Sequence, residues 1–161
     1  MKQWQIIAAL IAVIGVAWWL FIDNDEDKIR AAHETLIELL QKTGDEGDAP
    51  TLLDALALQG LFAETCVVSG DADAVVGSYT GQQLASTVLQ VKALFERVEI
   101  TTTEFIIEMI GEGAAEIEFS ATLDGTSVIE GEEHVLEART VFSRMDKIDG
   151  EWLFSGFRLI E

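Results

Sequence analysis

The sequence predicts an α+β domain in which the helices come first and an antiparallel sheet follows. Apolar residues recur at helical spacing between residues 28 and 97, and at every second position from Val98 onward. Three turn signals divide the second half into four strands, and they are Gly111-Glu112-Gly113, Asp124-Gly125 and Asp149-Gly150. We therefore expect three helices packed on a curved antiparallel sheet, forming one domain over residues 24–161.

The first 23 residues are predicted to form a separate membrane anchor. No charged residue occurs from Trp4 to Ile22, and a helix from Ile6 to Ile22 would span about 25 Å, close to the hydrocarbon thickness of a bilayer. A cleaved signal peptide is the alternative, but bulky residues occupy the place of a small-residue cleavage site. Aromatic residues that favour headgroup depth lie near both ends of the segment: Trp4, Trp18 and Trp19.

The expected location follows from this anchor. A very short N-terminal tail followed by a long domain is typical of an uncleaved export signal. We expect a single-pass protein of a bacterial inner membrane, with its N-terminus inside and its acidic domain in the periplasm.

The charge of the chain limits its partners. With 29 acidic and 10 basic residues, the formal net charge is −19, and nucleic acid binding needs clustered cations, so no nucleic-acid partner is expected. The acidity fits either a solvated, self-repelling surface or attraction to a basic partner. Cys66 is the only cysteine, which excludes an intrachain disulfide and a Cys/His zinc pattern, and we expect no metal or cofactor.

The first predicted helix, from Lys28 to Lys42, contains the most informative polar residue. His33 lies within the apolar stripe of this helix, four residues after Ile29 and three before Leu36. This spacing directs the imidazole inward, where it is either a hydrogen-bonded core residue or part of a polar pocket.

Later elements follow the same two periods. A second helix is predicted from Pro50 to about Leu58, then an extended run from Leu61 to Ser69, then a third helix from Thr80 to Arg97. The last two strands carry apolar residues on both faces, which predicts an interface with a second copy or another protein. The candidate interface residues are Trp152, Phe154 and Phe157.

Three features of the sequence resemble the nuclear transport factor 2-like (NTF2-like, cystatin-like) superfamily, and its SnoaL-like and ketosteroid-isomerase-like members are the most similar. These features are the order of the elements, the run Leu61-Phe62-Ala63-Glu64-Thr65-Cys66-Val67-Val68, and the closing run Asp149-Gly150-Glu151-Trp152-Leu153-Phe154. The resemblance implies a cone-shaped domain with an apolar pocket and frequent dimerisation through the sheet. It also implies that enzymatic members use a His or carboxylate in the cone. Candidate pocket residues are His33, Glu64 and Tyr79.

The sequence departs from the enzymatic pattern, because Thr65 stands where many relatives carry a second acid. The first functional hypothesis is therefore a non-enzymatic accessory or assembly subunit of a membrane complex, bound to other subunits or to a second copy. The alternative is binding of an apolar or lipid-like small molecule, or a SnoaL-like isomerase or hydrolase using His33 and Glu64.

Overall fold

The computed structural model describes residues 24–42, 52–71, 76–129 and 134–161. These residues form an α+β domain of three helices and six strands: α1 (Asp25–Leu40), α2 (Leu52–Leu61), β1 (Phe62–Gly70), β2 (Gly77–Tyr79), α3 (Gly81–Ala93), β3 (Phe95–Met109), β4 (Ala114–Ser127), β5 (Val135–Ile148) and β6 (Glu151–Ile160). Within this part of the chain, no helix is both long enough and apolar enough to span a bilayer. The predicted anchor, including Trp4, Trp18 and Trp19, lies outside the described residues, as does Pro50.

The six strands form one sheet in the order β2-β1-β6-β5-β4-β3. The four long strands β3 to β6 are antiparallel neighbours, as the short connections predict. The extended run predicted from Leu61 to Ser69 also joins the sheet as β1, and it lies parallel to β6. After α2 the chain returns beside its own last strand, and sequence periodicity carries no information about such a long-range pairing.

Helix α1 is held at both ends. Asn24 caps its N-terminus by accepting a hydrogen bond from the Glu26 amide at 3.2 Å. In the first turn, Asp25 accepts from Lys147 Nζ at 2.8 Å and from Trp152 Nε1 at 2.9 Å, which joins the helix to β5 and β6. Beyond the C-terminus, the backbones of Lys42 and Val98 exchange two hydrogen bonds of 2.9 Å. These contacts fix α1 across the sheet.

Helix α3 begins where it was predicted and ends earlier. Thr80 and Gln83 form a capping box, with side-chain to backbone distances of 3.2 and 2.8 Å. The helix ends at Ala93, four residues before the expected Arg97. Phe95 already belongs to β3, where it pairs with Ser127 of β4. Strand pairing therefore ends the helix before the helical spacing of apolar residues does.

Two of the three predicted turns are confirmed, and the third is wrong. Asp149 and Gly150 form a tight turn with φ of 52° and 85°, and residues 111–113 connect β3 to β4. Asp124-Gly125, in contrast, lies within β4. A Cβ atom on Gly125 would lie 2.9 Å from Cδ1 of Phe95, so this glycine makes room for an aromatic ring instead of a turn.

A bulge at Ser155 explains why the predicted two-sided apolar face does not form. The β5–β6 register shifts between Arg144 and Met145, so Phe154 pairs with Met145 and Phe157 with Ser143. Phe157 is thereby moved to the face that carries Trp152 and Phe154, the concave face toward the helices. Trp152 and Phe154 are buried in the core, at 5% and 0% exposure, which corrects their assignment to an interface.

Candidate functional site

The interior of the domain, between α1 and the sheet, contains His33 among aromatic rings. Its imidazole centroid lies 4.6 Å from the ring centroid of Phe105 and 4.6 Å from that of Phe119. The residue is only 3% exposed. The predicted inward direction of His33 is therefore confirmed.

A bulge in β3 brings Phe105 onto His33. The register with β4 shifts between Thr103 and Ile106, and Glu104 adopts a φ of 56°, a left-handed conformation that is costly for a residue other than glycine. The Glu104 carboxylate accepts a hydrogen bond from Ser120 Oγ at 2.9 Å, which helps to hold this conformation. The strained residue therefore directs the next side chain into the cone.

The His33 imidazole has no polar partner. Neither Nδ1 nor Nε2 makes a hydrogen bond in the described structure, so the prediction of a hydrogen-bonded core histidine is not met. Burial, and to a smaller extent the nearby Arg30 guanidinium, lowers the pKa of His33 from 6.5 to about 4. The ring is therefore neutral at neutral pH, with one nitrogen available to accept a proton or a hydrogen bond.

A second buried polar group lies on the concave face of the sheet. Ser143 in β5 has 0% exposure, and its hydroxyl has no hydrogen-bond partner among the described residues. It pairs with Ile117 of the neighbouring strand β4, two residues before Phe119 in that strand. Ser143 was not predicted as a site residue, although its position between inward-facing Val141 and Met145 in an alternating strand marks it as inward-facing.

An open, apolar depression, the apolar cleft, lies between the helices and the far end of β3 and β4. Its volume is about 170 Å³, and almost all of its lining surface is apolar. It is lined by Leu40 of α1, by Thr87, Val88, Val91 and Lys92 of α3, and by Phe95, Val98, Ile100 and Leu123 of the sheet. Leu40 lies in the first predicted helix, and Val88, Val91 and Phe95 lie in the third, but they were not predicted to line a cleft.

Two lysines border this cleft. Lys92, which lines it, donates from Nζ to the Leu39 carbonyl at 2.7 Å. Lys42 donates from Nζ to the carbonyl of the cleft residue Phe95 at 2.6 Å. Both ammonium groups are thus held by backbone carbonyls, that of the cleft residue Phe95 and that of Leu39, which precedes the cleft residue Leu40.

The other predicted pocket residues do not join His33. Glu64 is exposed on β1, and no hydrogen bond links it to His33, so the structure does not bring the conditional dyad together. Tyr79 is half-buried in the edge strand β2, opposite Cys66. Burial raises the pKa of the Cys66 thiol to about 11, which makes it a poor nucleophile. Among the described residues, no group of three His, Cys, Asp or Glu side chains is placed to hold a metal ion.

Comparison of the fold with solved structures gives several similar proteins. A provisionally named scytalone dehydratase of Novosphingobium aromaticivorans has a TM-score of 0.65 at 18% identity, with 84% of this chain and 82% of that chain covered. The hexachlorocyclohexane dehydrochlorinase LinA-type3 of Novosphingobium barchaimii has a TM-score of 0.66 at 16% identity, with 84% of both chains covered. A provisionally named dehydratase of the NTF2-like family from Streptomyces avermitilis has a TM-score of 0.63 at 11% identity, with 86% and 96% covered.

Comparisons of the sequence alone give no match. No protein-family model matches it, and no curated protein is significantly similar to it. At such low identities the structural likeness shows the fold alone. The domain has the cystatin-like fold of NTF2-like and SnoaL-like proteins, with a curved sheet and three helices in the described residues.

Proposed function

We propose that this domain binds a small apolar molecule in the apolar cleft between its helices and its sheet. The observation that carries the proposal is an open cavity of about 170 Å³ whose lining is almost wholly apolar. Water gains few hydrogen bonds in such a site, so an apolar ligand that displaces it is favoured. The similar solved proteins include several that are named as dehydratases or dehydrochlorinases, and such names imply small-molecule substrates.

The volume limits the size of the ligand. Apolar cavities of about 150 Å³ admit a six-carbon ring such as benzene. The cleft should accept an aliphatic or aromatic group of roughly six to eight carbons, while its open side leaves room for a larger remainder.

A cleft-filling variant tests this proposal. Val88→Phe places a larger apolar side chain in the cleft from the half-buried face of α3, so binding of 1-octanol, measured by titration calorimetry on the full-length protein, should be lost. Leu136→Phe is the matched control, because Leu136 is 63% exposed and pairs with Asp124, whose side chain points to the opposite face of the sheet from the cleft residue Leu123. Equal binding by wild type and the Val88 variant would overturn the proposal.

Proton transfer on the bound molecule is a second candidate function. It is favoured by the neutral, unpartnered imidazole of His33. His33 and Leu40 are seven residues apart on α1, about 10 Å along the helix axis, so a reacting group would have to extend about this far beyond the cleft to reach the imidazole. Hydrogen–deuterium exchange into a bound carbonyl compound, present in wild type and absent in His33→Phe, would support catalysis.

The predicted role as an accessory subunit of a membrane complex stays a hypothesis. Burial of Trp152 and Phe154 removes one of the observations that motivated it. The mass of the particle that carries the full-length protein in mild detergent would test it, because an accessory subunit should migrate with a larger assembly.

A further inference from the structure

We infer that Gly125 and Phe95 determine the size of the group that the apolar cleft accepts. The ring of Phe95 forms one wall of the cleft, and Gly125 is the position on the sheet against which that ring rests. This inference rests on the proposed function and adds the residues that determine its specificity.

The pairing of β3 with β4 places Gly125 at the end of the cleft floor. Ile100 pairs with Leu123, and both side chains line the cleft. Val98, which also lines it, pairs with Gly125, two positions further along β4. Because residues two apart in a strand lie on the same face of a sheet, Gly125 and Leu123 share the face of the cleft. A side chain at position 125 would therefore project beside the cleft.

The ring of Phe95 occupies the space that such a side chain would need. A Cβ atom added to Gly125 would lie 2.9 Å from Cδ1 and 3.0 Å from Cε1 of this ring. Gly125 is itself buried, so the edge of the ring rests directly on the backbone of β4. Glycine permits this close approach because it has no Cβ atom.

The backbone around Phe95 is held at several points, so any displacement falls on the side chain. Phe95 pairs with Ser127 of β4, and its carbonyl accepts a hydrogen bond from Lys42 Nζ at 2.6 Å. The carbonyl of the preceding residue, Leu94, accepts a hydrogen bond from the Val128 amide at 2.9 Å. A side chain at position 125 would therefore lift the ring off the sheet and into the cleft, which would become smaller.

The length of a bound alkyl chain reports the position of this wall. Each methylene group that leaves water for an apolar site raises the affinity about fourfold. Affinity should therefore rise with each added carbon until the alkyl chain reaches the Phe95 ring, and then level off. Moving the ring changes the alkyl length at which this happens, whereas general damage to the protein lowers the affinity for every length.

The test is titration calorimetry of the full-length protein with the linear alcohols from 1-butanol to 1-decanol. In the wild type, the rise in affinity should end at roughly six to eight carbons. In Gly125→Ala it should end about one or two carbons earlier, and in Phe95→Leu about one or two carbons later, because leucine is shorter than the aromatic ring. The double variant should return toward the wild-type length.

Gly156→Ala is the matched control, because it adds the same methyl group to another strand glycine. The added Cβ atom would lie 3.3 Å from the Val67 carbonyl and 3.7 Å from Cβ of Arg144, and neither residue lines the cleft. This variant should keep the wild-type preference for alkyl length.

The possible results separate this inference from the proposed function. Alcohol binding with the same preferred length in the wild type and both single variants would overturn the size-determining role and leave an apolar binding site. A uniform loss of affinity for all lengths in Gly125→Ala would do the same. If Gly125→Ala does not fold, Phe95→Leu decides alone, by a longer or an unchanged preferred length. Absence of alcohol binding by the wild type would overturn the proposed function and this inference together.

Discussion

At the scale of single residues, His33 is the group whose environment differs most from its state in water. Both ring nitrogens are buried and have no hydrogen-bond partner in the described part of the chain, and burial lowers the pKa of the imidazole from 6.5 to about 4. The unfolded chain therefore binds more protons than the folded chain between these two pH values. Stability contributed by neutral His33 is complete above pH 6.5 and declines as the pH falls toward 4, by roughly 3 kcal/mol in total.

His33→Phe should remove this pH dependence, because phenylalanine keeps a planar ring and carries no titratable group. The comparison is the free energy of unfolding at pH 7 and pH 5, by urea denaturation. The wild type should lose about 2 kcal/mol more than the variant over this interval. His134→Gln is the control, since His134 is exposed and pairs with Asp124 at 3.1 Å. An identical loss in wild type and His33→Phe would show that His33 titrates normally.

At the scale of elements, Asp25 joins α1 to the β5–β6 hairpin. The hydrogen bonds from Lys147 and Trp152 lower the pKa of its carboxyl group, so its contribution is present above about pH 4 and is lost as the pH falls through the lowered value. We expect Asp25→Ala to cost about 1–2 kcal/mol at pH 7. Asp27→Ala should cost less, because Asp27 occupies the same first turn and is exposed. Similar losses would assign the effect to the helix dipole alone.

Gly125 ties the register of β3 and β4 to the shape of the cleft. An added Cβ would meet Phe95 at 2.9 Å, so Gly125→Ala should displace that ring and lower stability by about 1–3 kcal/mol. Phe95→Leu in the same chain should recover part of the loss, because leucine vacates the position of the ring edge. A Gly125→Ala variant as stable as wild type would show that Phe95 moves freely. Thermal unfolding of Gly125→Ala, Phe95→Leu and the double variant gives the coupling free energy between these two residues.

The same elements show how far sequence reasoning reaches. Helical spacing placed His33 and Leu36 correctly on the inner face of α1, because that periodicity is local. Asp124-Gly125 was misread, since the reason for its glycine is a ring 30 residues away in sequence. The bulge at Ser155 likewise cannot be recognised from the spacing of apolar residues, and it moves Phe157 to the inner face. The lysines of the cleft were missed because their common position depends on contacts between α1, α3 and β3.

At the scale of the whole molecule, the net charge of −19 makes self-repulsion a general term in stability. Local repulsion is expected between Glu108 of β3 and Glu116 of β4, because the two residues pair directly with each other and like charges at such positions are destabilising. Added NaCl screens these interactions over a Debye length of about 10 Å at 0.1 M. The melting temperature should therefore rise between 0.02 and 0.3 M NaCl, by about 3–6 °C for each kcal/mol gained.

Two substitutions that each remove one negative charge separate general repulsion from local pairing. Glu108→Gln removes a carboxylate that faces another carboxylate, so it should raise the melting temperature at low salt and reduce its rise with NaCl. Glu99→Gln removes a carboxylate bound by Arg97 at 2.6 Å, so it should not raise the melting temperature at low salt. If both variants gained equally, only total charge would matter. If neither gained and the wild type lost stability with salt, attractive pairs would outweigh repulsion across this acidic surface.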